Sequence, residues 1–359
     1  EERNVRRETI QVDGQSHTPG RMSAPSTRVF LLPAALALAG GVRQVLDRCQ
    51  AEFQLRRGMA AEERTAVIKR DPFVRLAAWL SANITDGRDM VVLDLPERWA
   101  PLAPWVEQVV EESLGKEGRG LLIFYGQDLT SAARWPDRFT VLRIDEGSGT
   151  EVPGRPQAVL HLDTKADALS RLAVCARFFS GWNLTVALIG YLHGITFAGQ
   201  PAVEGYKKYA RELRDAPGEL PYPKDGLSSG DGAVLAVTVR SFDAEHELAY
   251  FDLTVNGEPV GPLWETAQRA GMRFGNSVLQ RPTKIRSGPR DYHSTEQSET
   301  AGPPGLLSLR VMVSDPEPVA SGDYDSRFLH AQALGTVFAM RDAGRPVLLA
   351  TVRREDGAE

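Results

Sequence analysis

Only two cysteines occur in the 359 residues, Cys49 and Cys175, far apart and in no metal-binding spacing. That excludes a disulfide framework, a thiolate zinc site and an iron–sulfur cluster, and it points to a reducing, cytoplasmic setting. No block of one charge sign is present: 42 basic and 47 acidic residues give a formal charge of −5 without a basic stripe. Nucleic acid and anionic lipid are therefore not expected as partners. The most apolar stretch, Leu172 to Phe197, is broken by Arg177, Asn183 and His193 and by glycines at 181, 190 and 194, so a buried helix is expected rather than a membrane span. No period of 20 to 50 residues repeats, which excludes solenoids and propellers. The first residues, Glu1 to Arg7, lack both an initiator Met and the apolar core of a signal peptide, and the chain is expected to be a fragment.

What is present is the composition of a globular protein of two or three lobes, 42% hydrophobic and 25% charged. A polar stretch over residues 1–27 precedes an apolar run from Val29 that reads as a buried helix or strand-to-helix step. From Asp71 helices and short apolar strands alternate. Helices are expected at Pro72 to Asn83 and Leu102 to Leu114, with strands at Met90 to Leu95, Leu121 to Tyr125, Phe139 to Ile144 and Ala158 to Leu162. A long helix opened by Asp163 and Thr164 as caps runs to about Leu192, followed by a helix over Val203 to Leu213. The Pro/Gly/Ser-rich stretch 215–232 is the best linker in the chain. Beyond it strands are expected at Ala233 to Ser241, Leu248 to Val255, Leu306 to Val313 and Pro346 to Val352, and helices at Leu263 to Ala270 and Arg327 to Arg341. Short apolar strands separated by helices mean an α/β fold with a mostly parallel, covered sheet.

On a wheel of about 100° per residue, the helix from Leu102 carries an apolar stripe of Leu102, Trp105, Val106, Val109 and Val110. Glu111 then points to solvent, and Glu112 lies beside Trp105 at the edge of the stripe. Glu112 is also in the last turn before Gly115, read as a C′ glycine, where the helix dipole disfavours an anion. Both effects are expected to raise its pKa, which suits a general base; the alternative is a frayed, solvated helix end.

The segment Trp105-Val-Glu-Gln-Val-Val-Glu-Glu-Ser-Leu-Gly-Lys-Glu-Gly-Arg-Gly resembles the WVEQLxAESTGKxGxG signature of transaldolase-linked phosphoglucose isomerases. Further segments resemble that family in the same order, from about Gly20 to Val352. Gly20-Arg-Met-Ser-Ala-Pro-Ser is similar to GGRYSxxS, and Leu32-Pro-Ala-Ala-Leu to LVPAAL. Gln200-Pro-Ala-Val-Glu-Gly-Tyr-Lys is similar to a Gln-Pro-x-Val-x-x-x-Lys helix start, and Gly288-Pro-Arg-Asp-Tyr-His-Ser-Thr-Glu-Gln to a GPRxLHSTGQ loop. Tyr324-Asp-Ser-Arg-Phe-Leu-His and Gly344-Arg-Pro-Val-Leu complete the match.

The resemblance implies a three-layer α/β/α sugar isomerase (SIS) fold with a C-terminal α/β extension. It implies a remnant of a first lobe over 1–66, a second SIS domain over 67–217 and a C-terminal region over 218–359. The implied activity is interconversion of glucose 6-phosphate and fructose 6-phosphate through a cis-enediol, a glycolytic and gluconeogenic step that requires no metal or cofactor. In that reading Glu112 moves the proton, Arg21 stabilises the enediolate, and His293 with Lys207 opens the ring. Gln200, Ser113, Gly115 and Lys116 would bind the substrate. Each of Arg21, Lys207 and His293 is otherwise an ordinary surface residue. The family also implies a dimer, or a partner chain that supplies the first lobe, because the Ser/Thr-rich phosphate loop of that lobe has no match here; Gly147-Ser-Gly-Thr reads as a plain loop. Departures occur at Glu299, where the family has a second His, and at Thr196 to Gly199. They keep a second reading open, a non-catalytic sugar-phosphate-binding or assembly subunit.

Overall fold

Most strands of this chain are short and separated by helices, and that pattern produces parallel pairing because the chain must cross back over the sheet before it can pair again. The computed structural model describes residues 22, 28–38, 41–51, 58–162, 167–228, 230–257, 260–314 and 325–353. In chain order the elements are α1 (Arg28–Ala37), α2 (Val42–Ala51), α3 (Ala61–Arg70), α4 (Pro72–Thr85), β1 (Met90–Asp94), α5 (Ala103–Leu114), β2 (Leu122–Tyr125), β3 (Phe139–Ile144), β4 (Gln157–Leu160), α6 (Ala168–His193) and α7 (Pro201–Asp215). They continue as β5 (Leu227–Ser228), α8 (Gly232–His246), β6 (Tyr250–Asn256), α9 (Pro262–Arg273), β7 (Thr283–Gly288), α10 (Tyr292–Ala301), β8 (Leu306–Val313), α11 (Ser326–Asp342) and β9 (Val347–Val352).

The chain divides into two units, residues 1–82 with 160–199 and residues 83–159 with 200–359. The first unit is helical where described. Asp71 opens α4 by accepting the Phe73 N–H at 2.9 Å and pairs with Arg177 of α6. Thr185 of α6 donates to the Phe73 carbonyl at 3.1 Å, and Gly181 gives the Phe73 ring the space a side chain would occupy. Helix α6 covers most of the expected apolar stretch. Among the described residues it is the one helix long and apolar enough to cross a membrane, and half of its apolar window is buried within the protein. Its N-cap is Asp167, which accepts from Ser170 N, whereas the expected caps Asp163 and Thr164 lie outside the described residues. The expectation of a buried run from Val29 is corrected for α1: Ala34 is buried, but Leu32 and Leu36 are exposed.

The second unit holds two sheets, ordered β2-β1-β3-β4 and β5-β9-β8-β6-β7. Strand β1 pairs in parallel with β2 and β3, and β6 with β7 and β8. The strand order of β1 to β4 therefore recurs in β6 to β9, second-first-third-fourth, the doubly wound arrangement whose switch point lies beside the first strand. The fold is α/β and three-layered, as expected. In the second sheet Val239 of α8 joins Phe251, Leu253, Leu307 and Leu309 on one face, while Ala333, Leu334, Val337 and Met340 of α11 join Tyr250, Leu306 and Met312 on the other. That second core continues into Met90, Val92, Leu122, Phe124, Phe139 and Val141, so both sheets share it.

Three local expectations are corrected. The residues Ala233 to Ser241 form the helix α8 rather than a strand, because Leu235, Val239 and Phe242, spaced at three and four, are the residues that reach the core. Strand β7 had no counterpart in the sequence reading. The segment read as a loop from Gly288 enters α10 at Tyr292, which places His293 in the first turn of a helix.

Candidate functional site

Helix α5 is buried from Ala103 to Leu114 on more than its apolar stripe, because the shared core covers one side and α10 covers another. The reading of Glu111 as solvent-facing is therefore corrected. Glu111 is fully buried; it accepts from Ile123 N at 2.7 Å and Ser298 Oγ at 2.6 Å and forms an ion pair with Lys284. Burial pushes its carboxyl above the usual range, against the opposing pull of Lys284. Glu112 is buried as well and accepts from Gln108 Nε2 at 3.2 Å. It is no frayed helix end.

Gly115, expected at C′, stands at the C-cap of α5, one position earlier. Its φ is −73°, and its reason for being glycine is space: a Cβ there would lie 2.6 Å from Ser298 Cα. Ser113 and Lys116 are buried on either side of it.

Residue Gln297 of α10 joins three of the segments singled out above. Its Nε2 donates to the Gly115 carbonyl at 2.9 Å, and its Oε1 accepts from Ala202 N at 3.0 Å, in the first turn of α7. It is fully buried. The loop after Glu112, the Gln-Pro start of α7 and the helix that carries His293 are thus clamped by one amide that presents a donor to one side and an acceptor to the other. The clamp is backed by Tyr206 of α7, whose ring meets Tyr292 edge-on at 5.5 Å. The Tyr206 hydroxyl is pushed above its ordinary range by burial and by the nearby carboxylates Glu296, Glu204 and Glu112. Gln200 stands at the N-cap position of α7 without a side-chain cap bond, and Lys207, half-buried one position after Tyr206, pairs with Glu204 at 3.0 Å. Of the sequence-identified residues, Glu112, Ser113, Gly115, Lys116, Gln200 and Lys207 therefore lie on segments joined through α5, α7 and α10. The backbone of His293 is on α10, its side chain is outside the described residues, and Arg21 is outside them altogether.

The residues the sequence reading missed form a polar layer on the second sheet. In the middle of β6, β7 and β8 polar residues spaced two apart are buried: Asp252, Thr254 and Asn256; Lys284 and Arg286; Ser308 and Arg310. Register places Lys284, Asp252 and Ser308 on one rung and Arg286, Thr254 and Arg310 on the next. Alternation normally puts the polar face in water. Here α5 and α10 cover it and supply the counter-charges. Lys284 contacts Glu107 at 3.2 Å and Glu111, Arg286 pairs with Glu107, and Arg310 pairs with Glu296 at 2.6 Å and with Glu299. The spacing explains the match, since carboxylates four apart on a helix rise about 6 Å and cations two apart on a strand about 6.6 Å. The layer sets five carboxylates against three cations. Burial and the neighbouring Glu299 push Asp252 well above the usual carboxylate range, and burial raises Glu296 to about 7. The sequence signal was the alternation of polar with apolar residues over Phe251 to Asn256 and Leu307 to Val311, and a polar run around Ile285 in β7.

Two cavities among the described residues of this unit lie close to these elements. One, of about 250 Å³, lies at the carboxyl ends of β1 and β2 and is lined by Asp94, Leu95, Tyr125, Gln127 and Ser148 among others. The Gly147–Thr150 turn borders it, but its polar groups satisfy one another: Asp94 accepts from Ser148 N at 2.6 Å, from Ser148 Oγ at 3.1 Å and from Arg143 at 3.0 Å. The other lies between β2 and β7.

No family model matches this sequence, and neither does any curated protein. Among solved structures the chain is similar to a hypothetical protein of Thermus thermophilus, at 15% identity over 91% of this chain and 86% of that one, with a TM-score of 0.25. It is similar to a Salmonella typhimurium protein described as a "putative sugar binding protein", at 12% identity over 83% and 97%, TM-score 0.26. It is also similar to a Clostridium difficile protein described as a "putative phosphosugar isomerase", at 8% identity over 80% and 93%, TM-score 0.21. Scores this low carry no argument, and the fold stands on its own strand order.

Proposed function

We propose that this chain is a sugar-phosphate isomerase of the phosphoglucose isomerase type, acting on glucose 6-phosphate and fructose 6-phosphate. Glu112 takes the proton from C2 of the open-chain aldose and returns it to C1, while a proton passes from O2 to O1 through the cis-enediol. Arg21 stabilises the enediolate, and Lys207 with His293 opens the ring. Gln200, Ser113, Gly115 and Lys116 hold the substrate, and a dimer or a partner chain supplies the phosphate-binding lobe. The scarcity of cysteine suits a cytoplasmic, glycolytic role.

The observation that carries this reading is the clamp at Gln297, which holds the Glu112 loop, the start of α7 and the His293 helix in one arrangement. A packing role alone does not require three chemically marked segments to meet at one buried amide. A second reading, a sugar-phosphate-binding subunit without turnover, is favoured by Glu299. Where the family has a second His, this chain has a fully buried carboxylate bound to Arg310.

A coupled assay of fructose 6-phosphate conversion decides between them, run on this chain and on Glu112→Gln, each with and without any upstream segment its gene encodes. Turnover that the substitution abolishes supports the isomerase. Binding of the sugar phosphate without Glu112-dependent turnover supports the second reading and ends the first.

A further inference from the structure

The second cavity, about 170 Å³, sits at the seam between β2 and β7 and is walled by Phe124, Tyr125, Lys284 and Arg286 and, from α9, by Gln268 and Met272. Arg286 is 3% exposed. Its Nη2 pairs with Glu107 and its Nη1 donates to the Ile285 carbonyl at 3.3 Å, but its Nε has no partner among the described residues. A buried guanidinium N–H is rarely left without an acceptor, and the cavity that Arg286 lines has room for a ligand that brings one.

The charges around it decide which acceptor. The guanidinium is already compensated by Glu107, and Lys284 by Glu107 and Glu111. The Nε–H lies on the same edge of the guanidinium as Nη2, so whatever it binds lies next to the Glu107 carboxylate. An anion placed there meets a like charge with no unbalanced cation to offset it. A hydroxyl fits both neighbours, since its oxygen accepts from Nε and its own proton is available to a carboxylate. The other walls include the rings of Phe124 and Tyr125 and the Met272 thioether, which suit the carbon face of a polyol, and the Gln268 side chain, whose amide suits its hydroxyls.

We propose that this cavity binds a neutral polyhydroxylated compound, an unphosphorylated sugar or polyol, with one hydroxyl accepting the Arg286 Nε–H. The site does not involve Glu112 and does not depend on the isomerase reading.

The test is calorimetric titration of the whole chain with sorbitol, with free glucose and with inorganic phosphate. It is repeated on Met272→Trp, which fills the cavity from its rim without touching the ion pairs, and on Arg286→Lys, which keeps the charge opposite Glu107 but withdraws the Nε donor. Saturable binding of a neutral polyol, weakened about tenfold or more in both variants and insensitive to phosphate, is the expected result. No saturable binding, unchanged affinity in Met272→Trp, or displacement by phosphate overturns the proposal. If Arg286→Lys does not fold, Met272→Trp decides alone. Loss of polyol binding leaves turnover at Glu112 unaffected, so the two readings fail separately.

Discussion

Gly115 has no side chain because Ser298 leaves no room for one, and the consequence is measurable. Gly115→Ala forces a methyl group against backbone, which is expected to cost about 1–3 kcal/mol in urea unfolding. A cost below about 0.5 kcal/mol would show that α10 yields easily at this point. At Gln297 the expected outcome is different in kind. Gln297→Leu keeps the volume but leaves the buried Gly115 carbonyl and the half-buried Ala202 N–H without this partner, a loss on the order of 1–3 kcal/mol in the same measurement. Legibility in the sequence differs between these residues. Glu112 was identified through its motif, and its burial followed from its place beside Trp105. Glu111 was misplaced because a helical wheel sorts residues by the apolar stripe alone, whereas the residue that draws Glu111 inward, Lys284, lies 173 positions away.

Helix α10 carries most of what the sequence concealed. Its polar composition gives no apolar stripe, since the face turned to the second sheet is occupied by Glu296 and Glu299 reaching Arg310. Strand β7 was hidden for the same reason, its inward residues being Lys284 and Arg286. The apolar elements β1, β3, β8 and α11 were found within a residue or two, because there the core selects apolar side chains. Glu296 makes the concealed layer testable through pH. Its folded pKa, about 7, lies above the ordinary 4.5, so the native state retains a proton that the unfolded chain releases. The stability tied to that proton is fully present below about pH 4.5 and is lost as the pH rises through about 7. Thermal unfolding across this window is expected to show a falling Tm, with a shallower fall in Glu296→Gln. Equal slopes in both proteins would assign the proton to another carboxylate of the layer.

The two sheets of the second unit share one core and one charged seam, and they are expected to unfold together. Calorimetry of the chain should show no separate transitions for residues 90–160 and 250–352, and Lys284→Met should lower the stability of both at once. Removing the cation leaves Glu111 in a buried site without its counter-charge, while Glu107 keeps Arg286, a loss of about 3–5 kcal/mol. A variant that melts one sheet alone would contradict the shared core. The recurrence of one strand order in both sheets was not visible in the sequence, because topology repeats here without residues repeating.

The seam also bears on how such a chain is made. Helix α5 leaves the ribosome 173 positions before Lys284 reaches Glu111, an interval of roughly 10–30 s at ordinary synthesis rates. Through that interval the uncovered side of α5 presents Glu107 and Glu111, which water hydrates well, instead of an apolar strip that would attract other nascent chains. The ion pairs that close the seam in the finished protein thus begin as hydrated carboxylates that keep the unfinished one in solution.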